Sequence, residues 1–125
     1  MTREIIHTGE AMPSFAGYSQ AVKAAGLVFV SGQGPFDPAG NLVGETIQAQ
    51  TRQCLINVKA ILTAAGSTIE KIVSATIILA EEDDFAGMNE EWGKWFTRDP
   101  PARQGAKLPV RPKNMKISIA VIAEA

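Results

Sequence analysis

The sequence predicts one α+β domain, a sheet of about six strands with two helices packed on one face. Three observations carry this. Apolar residues between Thr46 and Ala65 recur at three- and four-residue steps, a second helical stretch runs from Phe85 to Phe96, and short β-branched or alternating apolar runs surround both. No repeat of roughly 20 to 50 residues is present, which excludes solenoids and propellers.

Arg3 to Thr8 is the first strand, and Ala21 to Ala24 with Leu27 to Ser31 form a hairpin broken at Gly26. Gly32 to Gly44 holds four glycines, two prolines and an asparagine, so it is a loop. Ile47, Cys54, Leu55, Val58, Ile61, Leu62 and Ala65 then paint one face of a helix, which Gly66 stops. Ile72 to Ala80 is a strand, being short and rich in β-branched residues. Asp83 or Asp84 caps the second helix, whose face is Phe85, Met88, Trp92, Trp95 and Phe96. Gly87 and Gly93 each weaken that helix by about 1 kcal/mol relative to alanine, and Pro100 and Pro101 end it. Ala102 to Leu108 and Met115 to Ala123 close the sheet. The last strand alternates Ile117, Ile119 and Val121 on one side with Ser118, Ala120 and Ile122 on the other. Two helices cover one face only, yet Ile72 to Ala80 and Met115 to Ala123 are apolar or small on both, so the bare face is expected to pack against other copies.

With 125 residues, 46% hydrophobic and 20% charged, residues 1–125 make a single domain. Twelve Lys+Arg against thirteen Asp+Glu leave a net charge of -1, so no overall positive field draws in nucleic acid, which is not an expected partner. The longest apolar stretches fall far short of the roughly 20 residues a bilayer requires, so no membrane association is expected. Glu4, His7 and Glu10 stand where a signal peptide would be apolar. One cysteine, Cys54, permits no intrachain disulfide, and a cytoplasmic location is expected.

Most catalytic constellations are missing. His7 is the only histidine and Cys54 sits mid-face on a helix, so no metal site is expected and both residues read as structural. The acids Glu81 to Asp84 read as a solvated helix start. Gly32-Gln33-Gly34 lacks the third glycine of a dinucleotide loop and opens no helix. Ser31 lacks the flanking glycine of a nucleophile elbow. One charge feature remains. Arg98, Arg103, Lys107, Arg111, Lys113 and Lys116 face a single acid, Asp99, between residues 98 and 116. Arg103 stands out because the stiff Pro100-Pro101 lead-in fixes the direction of its backbone. A planar guanidinium there can hold a carboxylate bidentately.

Tyr18-Ser19-Gln20-Ala21-Val22, then Leu27-Val28-Phe29-Val30-Ser31-Gly32-Gln33 and Pro35, and finally Pro101-Ala102-Arg103 resemble the RidA (YjgF) family of reactive imine and enamine deaminases. The likeness covers nearly the whole chain in order. It implies a chorismate-mutase-like fold assembled as a homotrimer around a barrel, with sites in clefts between subunits and no cofactor. The implied function is hydrolysis of 2-aminoacrylate-type enamines and imines to 2-keto acids and ammonia. By the same resemblance Arg103 is the carboxylate binder, Tyr18 the aromatic hydroxyl, Gly32 a backbone contact and Asn89 a substrate-binding amide, with Ser31 beside them as a hydrogen-bond donor.

Two departures bear on the activity. Gly105 stands where the family usually has a cysteine, although its backbone N–H can still donate. Ala120 stands where it has a glutamate thought to place the attacking water. Both enlarge the pocket, leaving as alternatives a deaminase of a larger unsaturated amino acid and a non-catalytic binder of small carboxylates. An endoribonuclease would need a general acid and base that His7 alone does not supply.

Overall fold

In chain order the strands are β1 (Glu4–Ile6), β2 (Ala21–Ala24), β3 (Leu27–Gln33), β4 (Ile72–Leu79), β5 (Ala102–Lys107) and β6 (Ile117–Glu124). The helices are α1 (Ile47–Ala64) and α2 (Phe85–Trp95). The computed structural model describes residues 2–15, 17–108 and 114–125, so Ala16, Arg111 and Lys113 lie outside the described residues. The strands form one sheet in the order β1-β2-β3-β6-β4-β5, antiparallel throughout except for the parallel pair β4 and β5.

The hairpin of β2 and β3 turns through Ala25 and Gly26, both at positive φ (55° and 76°), the tight turn whose twist matches its strands. Thr46 caps α1, its Oγ1 accepting from the Ala49 N–H at 3.1 Å. At the other end Gly66, at φ 82°, lets its own N–H reach the Thr63 carbonyl at 3.0 Å and that of Ser67 reach Leu62 at 2.8 Å. Cys54, Leu55, Val58, Ile61 and Leu62 are fully buried. Each large apolar side chain so buried contributes about 1.5–3 kcal/mol relative to exposure.

α1 lies across β3 and β6, and α2 packs against α1, so both helices cover one face of the sheet as expected. Cross-strand partners share a face, and the row on that side runs from the buried Val30, Val121 and Ala75 to the exposed Arg103 at the β5 edge. The opposite face carries Ser74, Thr76, Ser118 and Ala120, all only partly buried.

Three local expectations change. β1 is three residues long rather than the six from Arg3 to Thr8. Neither Asp83 nor Asp84 caps α2 through its side chain; a 3-10 turn over Glu82–Asp84 leads into it instead. On α2, Phe85 is exposed and the charged Glu91 takes a buried place.

Candidate functional site

β5 is an edge strand, exposed along its whole length. Residues alternate across it, so Arg103 and Gly105 point to the helix side, beside Ala75 and Ile77. There α2 meets Arg103 with three side chains one turn apart. The guanidinium lies 5.3 Å from the Trp92 ring centre and 5.8 Å from that of Phe85, and its Nη1 is 3.9 Å from Met88 Sδ. Among the described residues no carboxylate ion-pairs with it. The charge therefore rests on aromatic faces, with Nη1 directed at the Met88 sulfur and the remaining donors available to an anion. Around it opens a cavity of about 770 Å³, whose walls include Gly105, Lys107, Glu82, Phe85 and Met88. A Cβ on Gly105 would meet the Ile77 carbonyl oxygen at 3.1 Å, so this wall has little room for a side chain.

A second cleft, of about 340 Å³, opens where β3 ends and β6 begins. Tyr18, Gly32 and Ser118 line it together with Met12, Phe15, Phe36 and Met115. Gly32 leaves room here for the Ser118 hydroxyl, since a Cβ would lie 2.7 Å from Ser118 Oγ and oblige it to move. Ser118 falls between the buried Ile117 and Ile119, so this cleft faces the uncovered side of the sheet.

The two sets of predicted residues are thus divided. Arg103 and Gly105 lie on the helix side of the edge strand, whereas Tyr18 and Gly32 lie on the other face, three strand spacings or roughly 14 Å away. Ser31 lines neither cavity. Its hydroxyl donates to the Ser19 carbonyl at 2.6 Å and its N–H to that of Gln20 at 3.0 Å, which ties the Tyr18 loop to β3. Asn89 is half-buried on α2 and also lines neither cavity.

Ala120 shares the uncovered face with Ser118, and among the described residues no carboxylate lines that cleft. Glu124 stands opposite Leu27, at the far end of β6, and cannot substitute for one there. The carboxylate that lines the cavity of Arg103 is Glu82, which is exposed as expected of that acidic run. His7 is exposed, and burial pushes the Cys54 thiol far above its ordinary range. No group of residues suited to holding a metal ion occurs among the described residues, and no helix there is long and apolar enough to cross a membrane.

Sequence reasoning missed Ser118 as a lining residue, although the alternation of β6 had separated it from the core. It missed Met12, Phe15 and Phe36, because loop residues carry no periodicity that assigns them a face, and it placed Met115 in the last strand, which begins only at Ile117.

Residues 8–125 match the family model described as endoribonuclease L-PSP. A RutC family protein of Pyrococcus horikoshii is 41% identical over 122 residues, covering 97% of each chain. The chloroplastic Reactive Intermediate Deaminase A of Arabidopsis thaliana is 39% identical over 97% of this chain and 65% of its own. The crystal structure of E. coli TdcF with bound serine superposes with a TM-score of 0.90 at 34% identity, covering 98% of both chains.

Proposed function

The chain belongs to the RidA (YjgF) family, and from that membership we propose that it is a hydrolase of reactive 2-imino acids and their enamine tautomers, of the 2-aminoacrylate type. The observation that carries this reading is the Arg103 guanidinium, held on Trp92 and Phe85 at the edge of an open cavity with no ion-pair partner among the described residues. Such a group fits the carboxylate common to all these substrates. The name of the Arabidopsis relative and the serine in the TdcF structure support a small amino-acid-like ligand.

The reaction needs little acid or base strength, because the carbon of a protonated imine is already a strong electrophile. Water adds to that carbon as the C=N electron pair moves to nitrogen. The carbinolamine then collapses, the C–N bond breaks, and the nitrogen leaves with the protons of the water. In sum, R–C(=NH)–COO⁻ and H₂O give R–C(=O)–COO⁻ and NH₃. Fixing the carboxylate beside a held water supplies the orientational share of the rate enhancement. Arg103 does the first; the Tyr18 and Ser118 hydroxyls and the main chain at Gly32 orient the water and the nitrogen. Ser31 positions Tyr18 through its bond to Ser19, and Gly105 keeps the floor beside Arg103 clear; Asn89, which lines neither cavity, has no part in the step.

Because Arg103 and Tyr18 occupy opposite faces of one sheet, the complete site forms between two copies. The small side chains Ser74, Thr76, Ser118 and Ala120 suit close packing of the uncovered faces around a three-fold axis. Ammonia release, coupled to a dehydratase that makes 2-aminoacrylate, tests the reading. Wild type should accelerate release, and Arg103→Ala should abolish the acceleration. Full activity in that variant would remove Arg103 from the site. Tight 2-keto acid binding with no turnover of any imine would make the protein a binder, an outcome consistent with a cleft that no carboxylate lines among the described residues.

A further inference from the structure

The geometry points to a substrate preference: the cleft beside Tyr18 is a side-chain pocket for 2-imino acids with bulky apolar groups, branched aliphatic, thioether or aromatic, rather than for the methyl or methylene of the smallest ones. This rests on the deaminase reading, which places the carboxylate on Arg103.

The walls argue for it. Tyr18 and Ser118 bring hydroxyls to the cleft, and the remaining side chains that line it are Met12, Phe15, Phe36 and Met115. Met12, Phe36 and Met115 form a small buried cluster of their own, separate from the main core. Phe15 packs edge-on against Phe36, with ring centres 5.7 Å apart and planes at 83°. Yet Phe15 remains 56% exposed, more than any other large apolar side chain described. An aromatic ring on the wall of an apolar cleft gains most when an apolar group covers it.

Gly34 is part of the same device. A Cβ there would lie 2.8 Å from the Phe36 ring and 2.9 Å from Met115 Sδ, so its bare backbone is what lets both side chains reach the cleft. Methionine sulfur and aromatic edges adapt to several apolar shapes, which suits a class of side chains rather than one. A methyl group would leave most of the 340 Å³ to water. A methylene more or less in a hydrophobic pocket changes kcat/KM by about tenfold or more.

The test is a panel of imines generated in place by an amino-acid oxidase from alanine, leucine, methionine and phenylalanine. Rates are scored as imine consumed above its spontaneous hydrolysis. The expected result is a kcat/KM for the leucine, methionine or phenylalanine imine at least tenfold above that for the alanine imine. Phe15→Ala, which removes the most exposed apolar wall of the cleft, should draw that ratio toward 1 with an unchanged thermal midpoint. Hydrolysis of all four with the alanine imine equal or fastest overturns the preference alone, and makes Phe15 a contact between copies. Hydrolysis of none overturns the deaminase reading itself, and the preference with it.

Discussion

Arg52 grips Glu91 with two nitrogens, Nε on Oε2 and Nη2 on Oε1, each at 3.2 Å, and so joins α1 to α2. Glu91 is 2% exposed, and its carboxylate also accepts from Trp95 Nε1 at 3.1 Å and lies 3.5 Å from Lys94 Nζ. A buried charge is tolerated only with such a set of partners. The clamp fixes the rotation of α2, and that rotation decides whether Trp92, Met88 and Phe85 lie under Arg103. The chain thus buries the Glu91 carboxylate under a half-exposed Arg52 to align the helix whose side chains meet Arg103.

The same clamp sets an acid limit to stability. Burial alone would raise the Glu91 pKa, but hydrogen bonds from Arg52 and Trp95 and the charges of Arg52 and Lys94 outweigh it and hold the carboxyl below its ordinary 4.5. A depressed folded pKa gives stability that is fully present above the unfolded value and disappears as pH falls through the folded one. Glu91→Gln keeps the shape and removes the charge. At pH 7 it should cost about 1.5–3 kcal/mol, the worth of a hydrogen bond to a charged group. That gap should close as pH falls below the ordinary carboxylate range. Urea midpoints at fixed chain concentration, compared across pH, check it; a pH-independent gap would mean that packing rather than charge is lost.

Arg103 is set for a fork-shaped contact, which lysine cannot reproduce. Arg103→Lys should lower kcat/KM by about 10- to 100-fold, the equivalent of one charge-assisted hydrogen bond. Phe85, 51% exposed, supports the guanidinium from one side only. Phe85→Ala should raise KM about two- to fivefold, the range of an exposed cation–π contact, with an unchanged thermal midpoint. Steady-state kinetics on the two variants separate the contributions; a lysine variant as active as wild type would show that charge alone suffices.

What could be read from the sequence was whatever periodicity or turn chemistry records. The spacing from Ile47 to Leu62 announced α1, and the alternation from Ile117 to Ile122 told core from open face. The Glu91 clamp was illegible, because a charged residue at a helical core position looks like an interruption until its partner on another helix is known. The division of Arg103 from Tyr18 was also hidden. Motif order along the chain brings both into one set, while strand order and the parity of β5 put them on opposite faces.

That division makes a prediction about assembly. If each site takes Arg103 from one copy and the Tyr18 cleft from another, two chains with complementary defects should repair each other. Arg103→Ala removes one half. Gly32→Val obstructs the other, since even a Cβ at that position would come within 2.7 Å of Ser118 Oγ. Each variant alone should be inactive. Co-expressed in equal amounts, they should regain about a quarter of the wild-type activity, because one site in four would join an intact arginine to an intact cleft. Light scattering on the same particles should give about three chains each. Tyr18→Phe in place of Gly32→Val provides a second pairing that leaves the cleft unobstructed. A mixture no more active than its parts, with each variant folded, would mean that the site is built within a single chain, which the opposite facing of Arg103 and Tyr18 argues against.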